Sequence, residues 1–91
     1  MARYIVERTF PHGFEVAMNE QGAQVCLAII EQNSCDGVTW LQSFVALDHK
    51  KSFCLYDGPD PEAIRRAASR NNLPVDRISE VRVLDPYFYC M

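Results

Sequence analysis

The segment DGPDPEAIRRAA, residues 57–68, constrains the fold of this chain more than any other stretch. Asp60 is a favoured helix N-cap, Pro61 suits the first helical position, and Glu62 puts a negative charge in the first turn. The residues before the turn, 52–57, are rich in β-forming side chains. The segment therefore predicts a strand, a sharp turn and a capped helix whose apolar stripe is formed by Ile64, Ala67 and Ala68.

Four further segments complete the order of elements. Asn19 is the predicted N-cap of a first helix, which fades near Gly37. The other strands are predicted at residues 3–9, 38–47 and 77–84. The resulting order, β-α-β-β-α-β, predicts a single α+β domain over residues 1–91. Its architecture is a ferredoxin-like sandwich, with two helices on one face of a four-stranded antiparallel sheet.

The long strand predicted at 38–47 is apolar on both of its faces. A sheet covered on one side only usually has a polar outer face, so this pattern predicts a second cover for the sheet. A chain of 91 residues has no further element for that role. We therefore expect a homodimer, packed sheet against sheet or closed as a dimeric α+β barrel. The aromatic tail at 85–91 would then form an edge strand or an arm on the second copy.

Composition and charge exclude several classes of partner. The net charge of −3 disfavours nucleic acid and anionic membranes, and no apolar run reaches the length of a membrane span. Charges interrupt the N-terminal apolar stretch, so no signal peptide is predicted and the cytoplasm is the expected location. The four cysteines lack metal-type spacing, which predicts free thiols in that compartment. Two disulfides in an exported protein are the alternative for Cys26, Cys35, Cys54 and Cys90.

One candidate site follows from the alternation of side chains along the third strand. Phe53 and Leu55 suit the helix-covered core, which turns Cys54 and Tyr56 toward the open face of the sheet. Alternation in the first and fourth strands adds charged residues to that face. The result is a semi-polar pocket formed by Glu7, Cys54, Tyr56, Glu80 and Arg82.

This pocket allows two interpretations. In the functional one, an arginine holds a carboxylate ligand and a glutamate moves a proton. In the structural one, the charged residues form a salt-bridged dimer interface and Cys54 is a small buried hydrophobe. Cys54 is not assigned as a catalytic nucleophile, because neither histidine of the chain is placed beside its thiol as a base, and no residue is committed to a catalytic role.

The two histidines define a second candidate site. His12 with Glu15, and Asp48 with His49, offer the imidazole and carboxylate groups that nickel accepts. Both pairs are in loops, where histidines are commonly only solvated, and the two lysines directly after His49 repel a cation. A surface metal site at these four residues is therefore a hypothesis.

Four blocks of the sequence are distinctive in combination: RYIVERTFP, GVTWLQSFV, FCLYDGPDPEAIRRAA and LPVDRISEVRVL. Over residues 3–89 the chain resembles a bacterial family of small ferredoxin-like proteins of unknown function, some of them described as nickel-binding. The resemblance implies the ferredoxin-like fold, a homodimer and a role with a divalent metal. Relatives often carry a histidine after EAIR, whereas this chain reads EAIRRAASRNN there.

These observations favour a binding protein over an enzyme. The leading prediction is a homodimer that binds nickel or another divalent metal through its surface histidines. The alternative is a small-ligand binder, or a small cofactor-free enzyme, that uses the semi-polar pocket. A third possibility is an interaction module with neither site.

Overall fold

The computed structural model describes residues 2–14 and 19–89, and it confirms the predicted order of strands and helices. The strands are β1 (Ala2–Thr9), β2 (Thr39–Val45), β3 (Lys51–Gly58) and β4 (Arg77–Val81). The helices are α1 (Glu20–Ser34), α2 (Pro61–Arg70) and the short α3 (Pro86–Tyr89). The described part of the tail forms α3, which begins at Pro86, so the edge strand predicted there is wrong, and the arm on a second copy stays a prediction.

The four strands form one antiparallel sheet in the order β2-β3-β1-β4. The first strand is central, and its Val6 lies opposite Cys54 of β3 and Ile78 of β4. Both long helices pack on one face of this sheet, which confirms the ferredoxin-like α+β prediction. The sheet is open at β2 and β4 and does not close into a barrel. Among the described residues, no helix is both long and apolar enough to cross a membrane.

Both long helices begin at the residues that the sequence predicts. The Asn19 side chain accepts a hydrogen bond from the Gly22 amide at 3.0 Å, and the Asp60 side chain accepts one from the Ala63 amide at 2.8 Å. Each contact satisfies one of the amides that a helix start leaves without a partner in the helix itself. Pro61 occupies the first turn of α2, where its missing N–H costs nothing.

The core lies between α2 and the centre of the sheet. Strand residues and α2 residues share this cluster: Tyr4, Val6, Val38, Cys54, Tyr56, Ala63, Ile64 and Ala67. The predicted faces of β3 are therefore wrong, because Cys54 and Tyr56 are buried beneath the helices, and Phe53 and Leu55 lie on the open face.

The physical reason for this inversion lies at the end of β3. Gly58 is buried, and a methyl group at this position would lie 2.9 Å from Cδ1 of Ile64. The strand can approach α2 so closely only where a glycine faces the helix. Because alternation has a period of two, Gly58 brings every second residue before it to the helix side. Hydrophobicity alone did not decide the phase, since both faces of β3 are apolar.

Polar contacts join the end of α1 to α2. Asp36, two residues after the end of α1, accepts hydrogen bonds from Arg70 at 2.8 Å and from Arg66 at 3.2 Å. The hydrogen bond from Arg70 lowers the pKa of the Asp36 carboxyl, and Arg66 lowers it further. The Asn71 side chain donates a hydrogen bond to Asn33 Oδ1 at 3.0 Å. These contacts hold the C-terminal end of α1 against α2.

The cysteines within the described ranges are free thiols, as predicted: Cys26, Cys35 and Cys54. Cys54 is buried and Cys35 is exposed. The fourth cysteine, Cys90, lies outside the described residues.

Candidate functional site

The structure separates the five residues of the predicted semi-polar pocket. Cys54 and Tyr56 are buried under the helices, whereas Glu7 lies on the opposite face of the sheet. Glu7 is paired across the strands with Phe53 and Arg77, and its carboxylate is 4.0 Å from the Arg77 guanidinium. Within one protomer, Glu7 therefore cannot share a pocket with Cys54 and Tyr56.

The remaining two pocket residues lie together at the outer edge of the sheet. Glu80 is the exposed penultimate residue of β4, and Arg82 is the first residue after that strand. Both line a shallow polar depression with Arg3. This depression is solvated, so its charges can be accommodated without a bound ligand.

Cys54 and Tyr56 instead line a cavity between α1 and the sheet, which we call the α1 cavity. Its volume is about 190 Å³. Most of its walls are apolar, and the residues around it are Arg8, Phe10, Phe14, Cys26, Ile29, Trp40, Ser43, Val45, Ser52, Cys54, Tyr56 and Leu73. The described lining contains no imidazole and no carboxylate.

The α1 cavity contains a functional candidate that the sequence reasoning missed. Arg8 is only 2% exposed, although arginine is rarely buried without a partner. Its guanidinium carbon lies 5.7 Å from the centre of the Tyr56 ring. The alternation of side chains along β1 indicates that Arg8 is buried, because Arg8 is in phase with Tyr4 and Val6, which are both core residues.

The polar groups at the wall of the α1 cavity include a phenol, a thiol and an indole. Burial raises the pKa of Tyr56 to about 12, so the phenol remains neutral. The Cys54 thiol lies 3.8 Å from the Ser52 hydroxyl, which is not a base that could activate it. Trp40 donates a hydrogen bond to the Ser43 hydroxyl at 2.7 Å, which orients the indole at the cavity wall.

The fold brings the two predicted metal-binding loops together. The Phe14 amide donates a hydrogen bond to the His49 carbonyl at 2.7 Å, and the Phe10 amide donates one to the Lys50 carbonyl at 2.8 Å. The loop that carries His12 is thereby attached to the turn that carries Asp48 and His49. We call His12, Asp48 and His49 the histidine corner; the fourth predicted ligand, Glu15, lies outside the described residues.

His49 is the best-prepared residue of the histidine corner. Its Nδ1 lies 3.1 Å from the Phe14 carbonyl oxygen, and a carbonyl can only accept, so Nδ1 carries the hydrogen. The lone pair of the neutral ring is then on Nε2, as in many metal-binding histidines, whose other nitrogen donates to a carbonyl or carboxylate. The backbone of His49 has a φ of 61°, a conformation that asparagine or glycine adopts more easily.

The described part of the histidine corner is not a complete metal site. Over residues 2–14 and 19–89, no three side chains of the His, Cys, Asp and Glu types come close enough to hold one ion. Asp48 already accepts a hydrogen bond from the Lys50 amide at 2.9 Å, which stabilises the turn. A metal bound here would need at least one further ligand.

Comparison with known proteins agrees with the fold. The chain is similar to the crystal structure of SCO4226 from Streptomyces coelicolor A3(2), with a TM-score of 0.71 and 23% sequence identity. The match covers 92% of this chain and 100% of that chain, and at this identity it shows the fold alone. No match is found among curated proteins.

A family model provides the more specific comparison. The model described as "nickel responsive protein SCO4226-like" matches residues 4–81, which is most of the chain. This match confirms the resemblance carried by the four sequence blocks. The chain therefore belongs to the SCO4226-like family of nickel responsive proteins.

Proposed function

We propose that this protein is a homodimeric binding protein that takes up a divalent metal ion, and nickel above others, at the histidine corner. The observation that carries the proposal is the hydrogen bond from His49 Nδ1 to the Phe14 carbonyl, which leaves Nε2 available as a ligand. The nickel responsive family to which the chain belongs supports the choice of metal. The proposal places the protein in the cytoplasm, where its free thiols would stay reduced.

The donor types at the histidine corner fit nickel. Imidazole and carboxylate are both accepted by this ion, and two histidines raise the preference over magnesium or calcium, which choose oxygen. We propose His49 as the principal ligand, with His12 and Asp48 nearby and Glu15 directly after Phe14 in the chain. Because fewer than three of these donors come together in the described part, water would complete the coordination.

Calorimetric titration of tag-free protein with nickel tests this site. His49→Asn removes the imidazole but keeps a residue type that tolerates the left-handed backbone, so the fold should be retained. We expect nickel affinity to fall by about tenfold or more. Loss of a group that only hydrogen-bonds to a metal ligand already lowers affinity by that much, and this variant removes a ligand itself. Glu62→Gln, an exposed acidic change on α2 far in sequence from the corner, is the control and should leave affinity unchanged. Full nickel binding by a double variant, His12→Asn with His49→Asn, would overturn the site.

We propose that a second copy of the chain covers the open face of the sheet. On this face Phe44 is 57% exposed, and apolar side chains of the neighbouring strands surround it: Ile5, Phe53 and Leu55. A contiguous apolar face of this kind marks an interaction surface. Ion pairs flank it on β1, Arg3 with Asp57 at 3.1 Å and Glu7 with Arg77 at 4.0 Å. Positive and negative side chains therefore both lie at the rim of this apolar face. In a two-fold interface between identical surfaces, each sign can then meet its opposite on the second copy.

Sedimentation analysis of the wild type and of Phe44→Asp tests the dimer. A charge within the proposed interface should convert a dimer to a monomer, because a buried charge without a partner is too costly. Leu47→Asp is a matched control, since Leu47 is 98% exposed in the turn after β2 and should tolerate the charge. A wild type that sediments as a monomer, or a dimer that survives Phe44→Asp, would contradict the proposal.

A further inference from the structure

We propose that the α1 cavity binds a small organic anion, a monocarboxylate with an apolar body about the size of one aromatic ring, whose carboxylate pairs with Arg8. This inference is independent of the metal proposal, because no residue of the histidine corner lines the cavity. It is carried by a buried guanidinium with two nitrogen atoms that have no hydrogen-bond partner among the described residues, by the chemistry of the cavity walls and by the cavity volume.

The first step of the argument is the hydrogen-bonding state of Arg8. Its Nε and Nη1 atoms are buried and have no hydrogen-bond partner among the described residues. The Nδ2 atom of Asn33 is in the same state, and Asn33 and Arg8 both line a narrow gap that adjoins the α1 cavity. All three atoms are donors and none is an acceptor. Because Asn33 does not line the α1 cavity itself, only the two Arg8 donors face a ligand there, and such a ligand must supply acceptor oxygens, as a carboxylate does.

The second step is the electrostatic balance around Arg8. No acidic side chain of the described chain lines either the α1 cavity or the adjoining gap. The acidic residue next to it on β1, Glu7, points to the other face and pairs with Arg77. The Tyr56 ring, 5.7 Å away, compensates the charge only in part. A buried guanidinium persists when it is paired, and a bound carboxylate would pair it with two parallel hydrogen bonds.

The third step is the apolar remainder of the cavity. The rings of Phe10 and Phe14 stack with their centres 4.7 Å apart at one wall, and Trp40 and Ile29 contribute others. A cavity of roughly 150 Å³ with such walls holds a benzene molecule, so the volume of about 190 Å³ accommodates a ring with a short acid group. Inorganic phosphate would satisfy Arg8 but leave these walls unfilled. The walls therefore select a carboxylate that carries an apolar group.

The cavity contains its own reporter for a binding experiment. Trp40 is the one tryptophan of the chain and lines the α1 cavity. We suggest three titrations of the wild type, with benzoate, with benzamide and with inorganic phosphate, in buffer with a metal chelator. The fluorescence of Trp40 is the readout in each. Benzamide has the shape of benzoate without its charge. Because a hydrogen bond to a charged group is stronger than a neutral one, benzoate should bind about tenfold or more tightly than benzamide, and phosphate, which leaves the apolar walls unfilled, should give a weaker response than benzoate.

Two variants assign the preference to Arg8. Arg8→Met removes the guanidinium but retains an apolar side chain of similar length, and it should abolish the preference for benzoate over benzamide. Arg65→Met makes the same change of charge on the exposed side of α2 and should leave the preference intact. Heat stability of Arg8→Met without ligand should equal or exceed that of the wild type, because the variant removes a buried charge that lacks a partner.

Several results would overturn the proposal. Equal responses to benzoate and benzamide would mean an apolar cavity without an anion site, and a response to phosphate equal to that to benzoate would remove the role of the apolar walls. A preference that survives Arg8→Met would place the anion elsewhere. If Arg8→Met does not fold, the comparison of benzoate with benzamide in the wild type decides alone. Loss of nickel binding would leave all of these outcomes unaffected.

Discussion

The two long helices cover the same face of the sheet but pack on it very differently. The shorter helix, α2, buries four residues in the core: Ala63, Ile64, Ala67 and Ala68. The longer helix, α1, buries only Gly22 and Asn33, and three of its large apolar residues are about half exposed: Val25, Leu27 and Ile30. The longer helix therefore contributes less to the packed core than the shorter one.

The difference follows from what lies beneath each helix. Alanines on α2 and Gly58 on β3 allow a close approach, and Ile64 fills the contact between them. The inner residues of α1, Cys26 and Ile29, line a cavity instead of filling it. Protein interiors are normally packed as densely as organic crystals, so a cavity of this size beneath a helix is a local departure. The comparison suggests a division of roles, in which α2 stabilises the fold and α1 covers a binding site.

The largest expected effect comes from truncating one isoleucine on each helix. Ile64→Ala should lower the free energy of unfolding by about 3–4 kcal/mol, because Ile64 is 2% exposed and the change leaves a void in a filled core. Ile29→Ala removes the same atoms from a residue that borders an existing cavity. Its cost should be about 1 kcal/mol, since fewer contacts are lost. Urea unfolding of both variants measures the difference.

This pair of variants can break the comparison as well as support it. Equal costs at the two positions would mean that α1 packs on the sheet as closely as α2 and that the α1 cavity is filled or collapsed in solution. A greater cost for Ile29→Ala would reverse the assignment of roles. Both results would also remove the volume on which the carboxylate proposal depends.

The two helices also differ in how well the sequence predicts their surroundings. The start of α2 was predictable to the residue, because Asp60, Pro61 and Glu62 act within one turn of the helix. The order of the elements followed from similar local signals along the chain. The face of β3 was not predictable in this way, because Phe53 and Leu55 are no less apolar than Cys54 and Tyr56, although the latter pair is the buried one. The close approach of Gly58 to Ile64, which forms only when α2 packs on the sheet, favours the observed phase.

The candidate sites depended still more on long-range contacts. Arg8 was overlooked because a charged residue in a strand is normally expected on the solvated face. The in-phase positions of Tyr4 and Val6 indicated its burial, but the cavity that receives it is formed by residues from several distant segments. For His49, the residue type was predictable. The nitrogen available to a metal was not, since it depends on a hydrogen bond to Phe14, thirty-five positions away.

A smaller change in stability is expected from Tyr56, the residue that lies between the two helices. Tyr56 packs with Ile64 and Ala67 under α2 and also lines the cavity under α1. Burial raises its pKa to about 12, whereas a tyrosine in the unfolded chain ionises near pH 10. Above pH 10 the unfolded state therefore loses its proton before the folded state does. Stability should be unaffected below pH 10 and fall between pH 10 and 12 by about 2–3 kcal/mol.

Urea unfolding at a series of pH values from 8 to 12, for the wild type and Tyr56→Phe, measures this contribution. The variant should lose less stability over the alkaline range, and the part that remains reflects other groups, including Tyr4, whose pKa burial also raises. An ultraviolet titration that shows Tyr56 ionising near pH 10 in the folded protein would contradict the expectation. In that case water would reach the phenol through the α1 side. The apolar walls that favour a carboxylate with a ring would then be in contact with water. A pKa near 12 would instead show that water is excluded from the cavity beneath α1 as it is from the core beneath α2.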